Sequence, residues 1–453
     1  MKVYRFEGLL QNEGWINPAF VSVNAEGLIQ SIGSEAPDND ISWVKGFALP
    51  GFQNAHSHAF QYAMAGLGEI HPKDKKADNF WSWRQKMYEV ALTIGPDELE
   101  AVAAMLYSEM LRHGYTHVAE FHYLHHDKDG KPYSNLAELG ERLIAAAQKA
   151  GIKITLVPMF YKNGGFKKPP ENHQRRFICK TIDEYFQLLE ASKNAVSQYS
   201  GASLAFGAHS LRAVHGQDLI ELIKQGPKDL PFHIHIAEQL KEVEDCIAFS
   251  GLRPVEYLFD QVDVDDRFHL VHATHLNDGE VEMIAKSGAH VVLCPTTEGN
   301  LGDGIFKFRD YKKLGGKWSI GTDSHIGLNP LEELRMLDYG QRLISHQRDT
   351  FVDDSGDSGN FGFKSALLGG RKAMGNHCDK FFEVGQPFDV VVFDAESPLL
   401  AASSPENLLS TIVYSGDVGM IKGAIVDGKW VERNTSIHSN FKQAISQLGI
   451  RSA

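Results

Sequence analysis

Between Ala48 and Ile320 the chain alternates short apolar runs with longer stretches whose apolar positions recur every three or four residues. These are the period-2 and period-3.6 patterns of strand and helix. Runs beginning near Ala48, Tyr115, Ile152, Ser203, Pro231, Arg267, Ala289 and Lys317 predict eight strands. Successive starts lie about 38 residues apart, enough for a βα unit of about 30 residues or more. After the first run, Leu99, Val102, Leu106 and Met110 form a helical stripe, and Gly114 follows as its stop. Eight strands alternating with helices favour an α/β chain folded as a (β/α)8 TIM-like barrel over an open doubly wound sheet.

The chain ends have a different texture. Val3-Tyr4-Arg5-Phe6, Phe20-Val21-Ser22-Val23 and Leu28-Ile29-Gln30-Ser31-Ile32 near the start read as strands. So do Asp389–Asp394 and Gly423–Val431 near the end, the latter with an Asp427-Gly428 hairpin signal. We expect one small β-sandwich domain from residues 1–47 and 381–435 beside a barrel of residues 48–380; two separate appendages are the alternative. Phe441, Ile445 and Leu448 predict a closing C-terminal helix within 436–453.

Composition narrows the function classes. The formal charge is −13 over 453 residues, which argues against nucleic acid or an anionic membrane surface as partner. Four scattered cysteines fit a reducing compartment. The amino terminus lacks the apolar core of a signal peptide and no run of 18 apolar residues occurs, so a cytoplasmic protein is expected. Twenty-one histidines are present, eight of them between His56 and His126.

Barrel enzymes place their chemistry where strands end. The first predicted strand ends in His56-Ser57-His58, whose two imidazoles share a strand face about 6.6 Å apart and can converge on one ion. The fifth ends His233-Ile234-His235 and continues to Glu238; the sixth reaches His272; the eighth reaches Asp323. Apolar strands that each stop at histidine or aspartate need partners for those polar groups, and a divalent cation at a common mouth supplies one.

His56-x-His58, His235, His272 and Asp323 on strands one, five, six and eight resemble the amidohydrolase superfamily over nearly the whole chain. The resemblance implies one zinc ion per chain, or another divalent metal, held by His56, His58, His235 and Asp323. His272, Glu238 and Asp323 would then be the catalytic groups: His272 polarising the attacked carbon, Glu238 moving the water proton to a departing nitrogen. The bland alternatives are a helix cap for Glu238 and a supporting hydrogen-bond partner for His272.

Finer motifs narrow the likeness. Ala59-Phe60-Gln61-Tyr62, Phe80-Trp81-Ser82-Trp83-Arg84, Glu120-Phe121-His122-Tyr123, His209-Ser210-Leu211-Arg212 and Cys294-Pro295-Thr296-Thr297-Glu298 look like the N-formimino-L-glutamate deiminase family of bacterial histidine degradation. That likeness implies a small dicarboxylate substrate held by Gln61, Arg84, Tyr123, His209 and Arg212, and a homodimer. Arginine's paired donors suit carboxylates, though Arg84 could stack at the surface and Arg212 could make an interdomain ion pair. Other readings are a superfamily deaminase acting on a purine, pterin or triazine ring, the ring-opening imidazolonepropionate hydrolase, and a barrel turned assembly module.

Overall fold

The computed structural model describes residues 1–38, 40–70, 80–353 and 356–451. Its centre is a parallel barrel. The strands are Phe52–Ser57, Tyr115–His122, Lys153–Phe160, Ala202–Leu204 continuing as Phe206–Ser210, Phe232–Ile236, Phe268–His272, His290–Leu293 and Lys317–Ile320, each paired with its neighbour in sequence. The eighth returns to the first: Thr322 and Asp323 N–H donate to the His56 carbonyl at 3.1 and 3.0 Å, and His58 N–H donates to the Asp323 carbonyl at 3.3 Å. The seam of the barrel therefore runs through three of the residues singled out for chemistry.

The first barrel strand starts later than the apolar pattern indicates. Ala48 and Leu49 belong to Ile41–Pro50, a strand of the other sheet, where they pair with Val392 and Val391. The chain changes sheets at Gly51, where a Cβ would lie 2.1 Å from the Thr116 hydroxyl. Both strands are buried at the crossover, so the apolar run passes through the boundary unbroken.

The stripe from Leu99 to Met110 lies buried in helix Pro96–Arg112, and Gly114 follows it with φ +92°. Before that helix the chain makes a helical turn, Ala59–Met64, and a further helix, Phe80–Thr93, which the periodicity does not announce. Among the described residues no helix is long and apolar enough to cross a membrane.

The two chain ends build one eight-stranded sheet. Lys2–Gln11 pairs in parallel with Ile41–Pro50, and Ile41–Pro50 pairs antiparallel with Val390–Asp394 from the far end. The sheet curls: Phe388 N–H donates to Gly27 and Tyr4 OH to Gly428, while the rings of Tyr4, Phe6 and Phe388 lie 6.0 Å apart. Helix Thr435–Leu448 buries Ile437 and Ala444, and its Phe441 ring sits 5.8 Å from Tyr62 in the turn after the first barrel strand.

Lys153, at the base of the third barrel strand, ties the two sheets together with contacts of 2.6 Å to both Asp389 and Asp427. Removing a cation from between two half-buried carboxylates leaves them opposed. We expect Lys153→Ala to lower stability by about 2 kcal/mol in urea melts, less than a fully buried pair because Asp427 is 36% exposed. Asp389→Asn should recover part of that loss.

Candidate metal centre and active site

At the C-terminal mouth of the barrel His56, His58, His235 and Asp323 offer one ligand atom each, all within 4.8 Å of one another. The Nε2 atoms of His56 and His58 each lie 3.3 Å from Asp323 Oδ1, and those of His56 and His235 lie 3.1 Å apart. Backbone carbonyls fix two of the rings. His58 Nδ1–H donates to Phe121 at 2.9 Å and His235 Nδ1–H to His209 at 3.0 Å, an assignment drawn from the hydrogen-bond network. Each therefore turns an Nε2 lone pair inward.

Burial holds these imidazoles neutral, the form that ligates. It pushes His56 down to about 3 and takes His58 and His235 below the ordinary histidine value. Burial works against ionising Asp323, but the His56 hydrogen bond and the surrounding imidazoles hold its carboxyl below the usual range. A proton between the facing His56 and His235 nitrogens would leave the His58 lone pair and the carboxylate unserved. One divalent cation serves all four, and the donor set of three imidazoles and a carboxylate fits it.

The strand ends are bent to aim these groups. Asp323 (φ 44°), His272 (φ 70°), Ala273 (φ 50°) and Ala237 (φ 51°) all have left-handed backbone, which costs about 1–3 kcal/mol each in a residue other than glycine. Beneath them, Ser57 Oγ donates to Glu120 Oε2 at 2.6 Å, Ala59 N–H to Glu120 Oε1 at 2.6 Å and Tyr107 OH to Oε2 at 3.0 Å. Burial raises Glu120 to about 7 despite these donors. Asn54 donates to the Thr322 hydroxyl at 2.7 Å, which in turn meets His325 Nδ1 at 3.0 Å.

His272 stands on the open side of the cluster. Its Nε2 is 3.8 Å from Glu238 Oε1 and 3.9 Å from Asp323 Oδ2, and its Nδ1 is 3.4 Å from Glu298 Oε1. Burial would lower it, yet the charges of Glu238, Glu298 and Asp323 prevail and raise it to about 10. Glu238 is itself raised by burial, against the pull of His272 and Arg212. Glu238 does not cap the following helix: Glu242 accepts from the N–H groups of Ala237 and Glu238 in the turn before it, at 3.1 and 3.2 Å, and the Glu238 carboxylate borders the cavity.

All five residues expected to hold substrate line that same cavity, together with His58, His235, His272 and Asp323. Gln61 donates to Tyr123 OH at 3.1 Å. Arg84 both stacks and faces the cavity: its guanidinium lies 5.5 and 5.3 Å from the Trp81 and Tyr88 rings and 3.4 Å from Tyr161 OH. His209 lies with its ring 4.4 Å from Tyr161. Arg212 makes no interdomain pair; it lies 3.5 Å from Glu238, and its Nε and Nη1 are buried without a hydrogen-bond partner.

Sequence pattern gives no role to Glu120, Glu242, Glu298, Tyr161 or His325, although Glu120 and Glu298 stand in the runs that carry the family likeness and Glu120 is a lone acid in an apolar strand.

The family model described as Amidohydrolase family matches residues 47–431. A formimidoylglutamate deiminase of Pseudomonas aeruginosa is 43% identical over 430 residues, covering 94% of each chain. The crystal structure of an amidohydrolase from Brucella melitensis superposes with TM-score 0.91 at 40% identity, over 99% of this chain and all of that one. That of an adenosine deaminase from Xanthomonas campestris with bound zinc shares the fold at TM-score 0.79 and 21% identity, over 100% of this chain and 98% of its own. With the family model spanning residues 47–431 and the fold shared over nearly its whole length, the chain belongs to the amidohydrolase family, and the buried cluster at its mouth has the donor set of a divalent-metal site.

Proposed function

We propose that this chain hydrolyses N-formimino-L-glutamate to N-formyl-L-glutamate and ammonia, with zinc in the His56, His58, His235 and Asp323 cluster. The observation that carries the reading is one cavity bordered by His58, His235 and Asp323 of that cluster, by the Glu238–His272 pair and by two arginines, one with unpaired donors. The name of the 43% identical relative supports it.

A divalent cation held there would supply a water nucleophile activated for attack near neutral pH. The residues do the rest. Water adds to the formimino carbon, giving a tetrahedral carbon with two nitrogens and one oxygen. Both water protons must end on the terminal nitrogen for ammonia to leave and a formyl C=O to remain. Glu238 relays them, because its carboxylate borders the cavity and burial makes it a stronger base than an exposed glutamate. Protonated His272 donates to the charge that builds at the attacked centre. Arg84 and Arg212 take the carboxylates, while Gln61, Tyr123 and His209 orient the chain between them.

We further propose that the protein works as a cytoplasmic homodimer, as the family likeness implies; sedimentation at about twice 50.4 kDa checks the assembly. Metal analysis should find one zinc per chain. Dipicolinate should strip it, abolish ammonia release and lower Tm by several degrees, since the ligands straddle the barrel seam, and added zinc should restore both. Full turnover by metal-free protein would defeat the reading.

Ammonia should be released from N-formimino-L-glutamate and not from adenosine or guanine. Glu238→Gln should keep its metal and lose about 10²–10⁴-fold in kcat. Arg84→Met should raise KM about 10–100-fold with kcat little changed, the signature of lost ground-state binding.

A further inference from the structure

Arg212 stands where recognition meets reaction. Its side chain is 12% exposed, with Nη2 3.5 Å from Glu238 Oε2 and Nε 3.9 Å from Glu242 Oε2. Nε and Nη1 are buried and have no hydrogen-bond partner, in a side chain that borders the cavity. A guanidinium carries five donors in a planar fork, and its two carboxylate-matching edges, Nε with Nη2 and Nη1 with Nη2, each join an unpaired donor of Arg212 to the Nη2 that Glu238 approaches.

Glu238 is the shared member. One of its oxygens meets Arg212 and the other lies 3.8 Å from His272 Nε2. Glu242 does not relieve Arg212 of this partner. It is fully buried and already accepts from Ala237 and Glu238 N–H, which fixes the left-handed turn at Ala237. The Glu238 backbone is thus held rigidly, while its carboxylate is divided between a cation that recognises anions and the centre that reacts.

We propose that Arg212 is a positioning residue that makes turnover, and not binding alone, depend on a substrate carboxylate: without an anion in the cavity Arg212 holds the Glu238 carboxylate through Nη2, and a carboxylate seated on an edge of the fork that includes Nη2 takes that donor and frees Glu238 to relay protons. This rests on the deiminase reading and adds to it a source of selectivity. One positive charge shared between two carboxylates holds each less firmly, and at these separations in a buried site the change is large against thermal energy. A formimino compound lacking that carboxylate meets a base that is already engaged. Binding at a remote group is in this way spent on the reacting centre, so truncating the substrate lowers kcat as well as affinity. No bond beyond those of the hydrolysis is made or broken; the coupling alters only which partner Glu238 keeps.

The test compares N-formimino-L-glutamate with two monocarboxylate analogues, N-formimino-4-aminobutyrate and N-formimino-L-glutamine, in zinc-loaded protein. For one analogue kcat should fall at least about tenfold in the unaltered protein. In Arg212→Gln that analogue should turn over faster than in the unaltered protein, and its kcat should come within about twofold of the dicarboxylate's, so that the two losses do not add. If both analogues keep the full kcat and only KM rises, the idea is overturned. It is equally overturned if Arg212→Gln leaves both analogues no faster than before. A second readout needs no turnover: calorimetry of glutarate binding in buffers of different ionisation enthalpy. The unaltered protein should take up protons on binding, and Arg212→Gln and Glu238→Gln should not; binding without proton uptake in the unaltered protein counts against the coupling. Absence of ammonia from the dicarboxylate would instead sink the deiminase reading, and the calorimetry would still decide the role of Arg212.

Discussion

Three imidazole nitrogens and a carboxylate buried within 4.8 Å of one another form the constraint on which the rest depends. Burial keeps the imidazoles neutral, so their lone pairs converge on one another and on an anion, in surroundings where unpaired polar groups are costly. A cation reverses the sign of every one of those interactions. Three of the four also close the barrel, because the hydrogen bonds joining the last strand to the first run through His56, His58, Thr322 and Asp323. Ligand set and seam are one feature, and the left-handed residues at three strand ends are the local strain accepted to build it.

Histidine alone does not make such a site. His233 shares a strand with His235 but lies toward the barrel floor, where His233, His269 and His290 occupy one register across three strands. Their rings stack at 4.9 and 5.1 Å and tilt by 27° and 37°, so their nitrogens do not converge, and His233 Nε2 donates to the Ala373 carbonyl at 2.8 Å. His125 likewise donates to Met159 at 2.8 Å. His233 and His125 satisfy carbonyls, while His290 fills space with both ring nitrogens unpartnered. Chemistry gathers only where the strands stop and backbone turns free the side chains to face one point.

That contrast sets what a sequence discloses. Strand-ending residues such as His235 and Asp323 stand out because a polar group interrupts an apolar run, and the runs themselves recur at a βα spacing. The crossover at Gly51 is invisible because Leu49 and Phe52 are buried on either side of it. Helix Phe80–Thr93 escapes because its buried positions, Phe80, Met87, Tyr88, Val90 and Ala91, are too uneven to form a stripe. The supporting acids escape for a different reason. Glu298 is defined by its bonds to Cys294 N–H and His272, and Glu242 by its bonds to Ala237 and Glu238; the former links residues from two strands, which spacing does not encode. Glu238 and Glu242 are both acids near one helix start, and only the structure tells which holds the turn and which faces the cavity.

The charge distribution completes the argument. A chain at −13 repels anions at long range, but salt confines that repulsion to about 8–10 Å, so the groups nearest the opening decide. Arg84 and Arg212 border both the inner cavity and an outer one, where Lys167, Lys168 and Lys241 outnumber Glu171 and Asp245. An arriving anion therefore meets lysines, then arginines, then the metal cluster, in order of increasing burial. Burial opposes the charge on Arg84, yet neighbouring Tyr161, Tyr88 and Glu238 keep it firmly cationic. A flat neutral ring brings neither guanidinium a further countercharge, leaving Arg84 to its ring stacking and Arg212 to Glu238. On the proposed function, a dianion with a small unsaturated nitrogen group would match both ends of the cavity at once, its carboxylates meeting the arginines and its nitrogen group the metal cluster.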